Sequence, residues 1–535
     1  MKVERNPSED SKAESESSDF EELGDVASTK RIFSSSDGER TEIDDSDNDS
    51  GFVGVSQGSL DRLDTVTPEV PCAETSGSGP YDRDAILYEL ASSGHPREAR
   101  FIAAVERMKN GGVKSASDIY ADFPDNFEYD ASTLSQECRE SMIEKLREAT
   151  KPIPDSMLHL LTGRNRPGDC GRPSDFKPEW LDMEKIRRGQ KFAQEHMFSI
   201  FFSEMLSLFA LFSFEDGLKP LIITGRSSTP FTAFKRYLST GLRVRHWYTE
   251  DLWAKGSAAR KDILTVRVMH GAAKRRLDAS TNAEIDAAAK IPNAWCPSRE
   301  MLLKDFAETC EAPVIGQCPY LIEKNSPDRP KGINQTEMAL TQWGFVGLIV
   351  SYPKCLGVHY ATDEDLEAFC HLWRSIGYQL GMEDEYNFCR GTLEEIRQRS
   401  SDFLESWVKP NLRIITPEWE HMMRCIFTGV SVYLPGATYE TSLLYLTEIL
   451  DLQMPRLYAS LSYKDWINFN LSKSLFYCTI KLPGMKSLFN VLLNRILDRA
   501  EKYTSEDIEA IRIKLSNFPG FPDVKTAENP IATNS

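Results

Sequence analysis

The stretch TDEDLEAFCHLWRSIGYQLG, Thr362–Gly381, holds a start, a face and a stop in twenty residues. Thr362-x-x-Asp365 resembles a capping box, with Asp in place of the usual Glu or Gln. Leu366, Phe369, Cys370, Trp373, Ile376, Gly377 and Leu380 then recur at helical spacing on one stripe. Gly381 falls where the residue after a helix takes positive φ, a conformation that glycine adopts without a Cβ clash. The three signals agree on one buried-face helix. A second helix is expected from Arg260 to Leu277, where Ile263, Val266, His270, Ala273 and Leu277 follow one another in steps of three and four. His270 lies in the middle of that apolar stripe. Further out, Tyr81–Asn110 reads as helical around a His95-Pro96 break, Ser132–Thr150 as an amphipathic helix, and a long helical run begins near Leu181. Between these last two, GRNRPGDCGRPSDFKPEW (163–180) is polar and rich in Gly and Pro, a loop or strap rather than a linker between domains. Alternating β patterns are scarce and no Asn-Gly hairpin signal is flanked by strands. The expected fold class is all-α.

Met197–Phe214, MFSIFFSEMLSLFALFSF, is apolar for eighteen residues apart from Glu204 and its serines, which meets the lower length limit for a membrane span. A carboxylate in mid-segment and the Glu215-Asp216 pair beyond it favour a buried core helix, with a span as the alternative. Trp343–Val350 is too short to cross a bilayer.

Residues 1–80 contain 20 Asp/Glu and 7 Lys/Arg, which places −13 of the chain's −18 net charge in an acidic, Ser-rich leader. Such a segment buries too little apolar surface to offset its ordering entropy and is expected to be disordered. Residues 81–520 then form a single helical domain, and 521–535 a disordered tail. A pI of about 5.1 argues against nucleic-acid binding, because phosphate contacts need clustered Lys and Arg. The eleven scattered cysteines form no CxxC pair and read as reduced thiols. MKVERNPSEDSK has no apolar core of a signal or transit peptide. The expected compartment is the cytoplasm, with peripheral contact to the cytosolic face of a membrane as a further expectation.

None of the eight histidines forms HxH or HExxH, and no GxGxxG, GxxxxGK[ST] or GxSxG opens a helix. A single histidine on a buried helical face has two readings: a core imidazole bonded to a carbonyl, or a proximal haem ligand, the main cofactor chemistry that requires only one. Upstream, Lys235, Arg236, Ser239 and Thr240 lie on a helical stretch that is expected to end at Gly241, with Arg236 and Thr240 sharing a face at i,i+4. This group reads either as a solvated basic helix end or as a guanidinium and a hydroxyl facing a propionate or bound dioxygen.

Four blocks resemble the rubber oxygenase (latex clearing protein) and mpaB-type ER-bound oxygenase catalytic-domain family. They are Pro178-Glu179-Trp180-Leu181-Asp182 with Ile186-Arg187-Arg188-Gly189-Gln190; Thr224-Gly225-Arg226 with Arg236-x-x-Ser239-Thr240; Thr265-Val266-Arg267-x-x-His270; and Leu340-Thr341-Gln342-Trp343-Gly344-Phe345 continuing through Trp373-Arg374 to Leu380-Gly381. The resemblance covers roughly residues 175–395. It implies a globin-like helical bundle with additional helices, and haem b as cofactor with His270 as the iron ligand. It also implies Arg236 and Thr240 as catalytic pocket residues, and Arg236 and Ser239 beside the haem. The implied activity is an oxygenase acting with dioxygen on an apolar isoprenoid or lipid-like substrate, by oxidative C=C cleavage. The alternative is a non-catalytic helical protein that keeps the fold and binds a lipid or a partner. The rubber-cleaving members place a lysine before the threonine as distal iron ligand, and this chain has Ser239 there. The acidic residue those members use as a base has no counterpart in register among Glu204, Glu215 and Asp216.

Overall fold

The computed structural model describes residues 82–92, 136–322, 329–434 and 436–522. The leader, residues 93–110 of the first expected helix, and residues 523–535 of the tail lie outside the described residues. Every described residue belongs to one unit, within Val55–Ser535. Among the described residues there are helices and no strands, the one β-type pairing being an isolated bridge between Pro167 and Asn334. The fold class is all-α.

Helices α1 (Arg83–Ser92) and α2 (Gln136–Thr150) pack on each other, and they are followed by α3 (Met183–Glu195), α4 (Met197–Leu211), α5 (Glu215–Ile223), α6 (Pro230–Thr249), α7 (Ala258–Asp278), α8 (Gln335–Ser351) and α9 (Asp363–Gln379). Helix α9 is the one read from the quoted stretch. The Thr362 hydroxyl accepts from Asp365 N while Asp365 accepts from Thr362 N at 3.1 Å, so aspartate closes the box in glutamate's place. Gly381 has φ +98°. The apolar stripe of α9 is buried and packs chiefly on α3. The two backbones approach closely because Gly189 lies against the Ala368 carbonyl, where a Cβ would overlap that oxygen.

The long helical run expected from Leu181 is two helices. His196 leaves helical geometry at φ −119°, and Asn490 fills the break: its carbonyl accepts from Phe198 N at 3.0 Å and its amide donates to Glu195 O at 2.6 Å. The apolar run after it is α4, which ends at Leu211 and lies in the core against α8. Among the described residues no single helix is long and apolar enough to cross a membrane; α4 and α5 pass that test only as a pair bent by 105°. A buried core helix is what the structure contains at this run.

Residues 164–182 form the expected strap. Arg172 donates to the carbonyls of Tyr378 and Met382 at 3.1 Å, Cys170 N donates to Gly381 O at 2.9 Å, and Arg260 of α7 donates to the Ser174 hydroxyl at 3.0 Å. The strap thereby ties α7 to the end of α9.

Gly189→Ala separates two opposed effects. Alanine favours a helix interior by about 1 kcal/mol over glycine, whereas overpacking against a backbone oxygen costs about 1–3 kcal/mol. Because the carbonyl belongs to another helix's backbone and has little room to yield, overpacking should win. The variant is expected to lower the thermal midpoint in circular dichroism; an unchanged or raised midpoint would show that α3 and α9 are not in backbone contact.

Candidate functional site

Helices α6 and α7 form an antiparallel hairpin. Thr229 caps α6 through a reciprocal pair with Thr232, Pro230 occupies its first position, and Ser257 caps α7 by accepting from Arg260 N at 3.1 Å. The expectation that α6 stops at Gly241 is not met: the helix runs on to Thr249. Gly241 serves packing instead, since the Phe201 ring of α4 lies 3.2 Å from where its Cβ would be. Val244, Trp247 and Tyr248 then carry the buried face onward. The hairpin register is set by Asp262, which accepts from His246 Nδ1 at 2.7 Å and lies 3.8 Å from Arg243 Nε.

In that register Arg236 is opposite His270, close enough that its charge acts on the imidazole. His270 is half-buried. Its Nδ1 is enclosed with no hydrogen-bond partner, and no hydrogen bond reaches Nε2 among the described residues. The carbonyl-bonded core histidine is therefore not what the structure shows. Desolvation first, and the Arg236 charge second, push its pKa down to about 4. At pH 7 it is a neutral imidazole with a lone pair, and protons compete for that lone pair only near pH 4.

The other residues singled out from the sequence lie along α6. Arg236 donates to the Ser227 hydroxyl at 3.1 Å, with its guanidinium 5.4 Å from the Tyr237 ring. The Tyr237 hydroxyl is buried without a partner. Thr240 is half-buried one turn further on. The Ser239 hydroxyl accepts from Arg243 at 2.6 Å, which joins it to the Asp262 pairing rather than leaving it free.

Helix α8 lies deep in the fold, chiefly against α4. Thirteen of its seventeen residues are buried, and the interior exceptions are Glu337, Thr341 and Phe345, one stripe at i, i+4 and i+8. The charges of Arg164 and of Lys274, one turn beyond His270 on α7, act on Glu337, which places its end of the stripe near that helix. Burial, reinforced by the Asp216 charge, pushes the Glu337 carboxyl up to about 7, and its Oε1 has no partner. At the other end Phe345 stacks on Trp373 at 4.2 Å. Trp373 Nε1 donates to the Tyr248 hydroxyl at 3.2 Å, and that hydroxyl donates to Glu204 Oε1 at 3.0 Å. Burial pushes Glu204 up to about 8, against the lowering effect of that hydrogen bond, so its carboxyl is mostly protonated at pH 7.

Sequence reasoning noticed Glu204 as a lone carboxylate in an apolar run but did not find its partner, because Tyr248 lies 44 residues away. It likewise quoted Arg267 without its role. Arg267 is 3% exposed and makes a two-point contact with Asp169 of the strap, Nε to Oδ2 at 2.8 Å and Nη2 to Oδ1 at 2.5 Å. The donor set fits an axial haem ligand in one respect: His270 offers a neutral, unbonded imidazole on a half-open face. It departs in another, since a metal-ligating imidazole usually donates its second nitrogen to a carbonyl or carboxylate.

No family model matches this chain, and no curated protein matches it. Among solved structures, that of Latex Clearing Protein LCP in the closed state is similar over 80% of this chain and 96% of that one, with 15% identity and a TM-score of 0.39.

Glu204 gives a pH prediction. The unfolded chain releases this proton near pH 4.5, whereas the folded chain holds it to about 8. The unfolded state therefore binds fewer protons across that window, and stability is lost as pH rises through it. Glu204→Gln keeps an acceptor for Tyr248 and removes the titration. Its thermal midpoint relative to the parent should rise steadily from pH 4.5 to 8 and level off above. A difference that does not vary with pH would mean that Glu204 is ionised in the folded protein.

Proposed function

We propose that this protein is a haem-dependent oxygenase acting on an apolar, isoprenoid- or lipid-like substrate, with oxidative cleavage of a carbon–carbon double bond as its reaction. The observation that carries this reading is His270: a half-buried imidazole, neutral at pH 7, without a hydrogen-bond partner among the described residues and within reach of the Arg236 charge. Its lone pair would hold the iron of a b-type haem, which when bound supplies the metal that takes up and activates dioxygen. Arg236 and Thr240 would donate hydrogen bonds on the side of α6, to a cofactor carboxylate or to oxygen. Met205, Leu208, Val266 and Phe345 are partly buried apolar side chains packed against the core, and they would exclude water and receive the substrate's hydrocarbon. Glu204, held protonated, would act as an acid rather than as a base. The reaction balances with dioxygen alone, one oxygen atom going to each carbon of the double bond to leave two carbonyl ends. A cytoplasmic protein in peripheral contact with a membrane, where such substrates partition, is part of the same proposal.

The second reading, a non-catalytic helical protein that binds a lipid or a partner, is favoured by one observation. Ser239 stands where the resembling rubber-cleaving members carry a lysine; its side chain has no nitrogen donor, and its hydroxyl is engaged by Arg243.

Purified protein, as isolated or after addition of hemin, is expected to show a Soret band at about one haem per chain. His270→Ala should abolish the band while the far-ultraviolet circular dichroism stays helical. A normal Soret band in that variant would remove His270 as the ligand, and a parent protein that binds no hemin would leave the second reading. Ser239→Lys is expected to move the spectrum of the haem-bound protein to a six-coordinate, low-spin form. An unchanged spectrum with haem still bound would mean that residue 239 faces Asp262 and not the ligand side of the hairpin.

A further inference from the structure

Helices α10 (Tyr463–Tyr477) and α11 (Met485–Ala500) follow one another across a short turn. Their inner faces meet on one ring of α4: Phe476 of α10 and Phe489 of α11 both stack on Phe198, with centroids 5.7 and 5.1 Å away. Asn490 fixes α11 there, through its hydrogen bonds at the His196 break. The opposite faces of both helices therefore turn away from α4 and the core, yet they are not polar. Leu488, Val491 and Leu492 lie at i, i+3 and i+4 on the outer face of α11, Leu482 lies in the turn, and Tyr463 and Leu471 lie two turns apart on the outer face of α10. These six side chains are between 42 and 78% exposed.

The same surface is basic in an acidic chain. Residues 461–500 hold six Lys/Arg and two Asp/Glu, whereas the whole chain has a net charge of −18. Both acids are engaged, Asp465 by the Ser462 and Thr438 hydroxyls and Asp498 by Arg245 at 2.6 Å. Two of the cations are engaged as well, Lys473 by Glu448 and Lys486 by Glu195. The other four, Lys464, Lys481, Arg495 and Arg499, are exposed and form no ion pair among the described residues. They border the apolar positions: Lys464 follows Tyr463, Lys481 precedes Leu482, and Arg495 and Arg499 continue the row of Leu488 and Leu492 along α11.

We infer that the outer face of α10 and α11 docks on a membrane surface that contains anionic phospholipid. Exposed leucines scattered singly are ordinary, but a contiguous apolar face rimmed by polar groups marks an interaction site. The leucines and Tyr463 enter the boundary between head groups and acyl chains, while the lysines and arginines extend to the lipid phosphates. A second copy of the chain fits less well, because a two-fold contact through this face would bring the same cations together with no free carboxylate between them. The face gives the membrane contact proposed above a location, and it rests on that reading for its purpose only.

The test is flotation of the full chain with vesicles of phosphatidylcholine alone and of equal parts phosphatidylcholine and phosphatidylserine, for the parent protein, Leu482→Glu, Leu492→Glu and Arg495→Glu. Haem content is read separately from the Soret band, so that a failure of the haem reading is not confused with a failure here. The parent should bind the mixed vesicles about tenfold or more tightly than phosphatidylcholine alone, with a preference that added salt reduces. Each leucine replacement should weaken binding to the mixed vesicles by about tenfold or more, and Arg495→Glu should narrow the preference for them. A parent protein that binds neither vesicle, or binding that no replacement weakens, overturns the proposal. So does a dimer of the parent in size-exclusion chromatography that Leu492→Glu dissociates, which would assign the face to a second copy. Should a glutamate variant fail to fold by circular dichroism, Leu482→Ser takes its place with a smaller loss expected.

Discussion

The geometry of the site depends on the ion pair between Arg267 and Asp169. Arg267 stands three residues before His270, so whatever fixes the arginine fixes the direction in which the imidazole faces. The fork of the guanidinium meets both carboxylate oxygens, and that carboxylate is itself held by Gly171 N at 2.9 Å on a strap bonded to Gly381. Helix α7 therefore cannot roll about its axis without breaking a buried two-point contact. Removing one partner of such a pair costs about 3–5 kcal/mol; the lower end applies here because Asp169 retains 28% exposure. One constraint thus links a loop rich in Gly and Pro, the end of α9 and the helix that carries His270.

Inside that frame the interior favours neutral forms. His270 is stripped of water and stays unprotonated, while Glu204 and Glu337 are stripped of water and retain protons toward neutral pH. The same desolvation acts in opposite directions on base and acid, as it must when it penalises whichever form is charged.

The parts of the fold legible in the sequence are those whose signals are local. The capping box at Thr362, the stripe of α9 and the positive φ at Gly381 are decided within twenty residues, and α7 matches its expected span. The features that were not legible are set by distant partners. The break at His196 is filled by Asn490, and Gly241 reads as a stop until the Phe201 ring is seen against it. The buried partner of Glu204 comes from another helix. His270 is the instructive case: its stripe is helical as read, yet periodicity could not say whether the imidazole meets a carbonyl or an open space. Ser239 is another, since its place in the sequence pointed to a distal site and its hydroxyl belongs to the Arg243–Asp262 pairing.

The most direct measurement of the central claim, a neutral and unbonded His270 held toward the interior, is its protonation state without any added cofactor. Histidine side-chain nitrogens can be followed by ¹⁵N NMR against pH in the full chain, with the His270 signals identified by their loss in His270→Gln. The account predicts that both nitrogens keep neutral-imidazole shifts from pH 8 down to about 5, with protonation only near pH 4. A midpoint near the ordinary value of about 6.5 would contradict it, for it would mean that His270 is hydrated like a surface histidine.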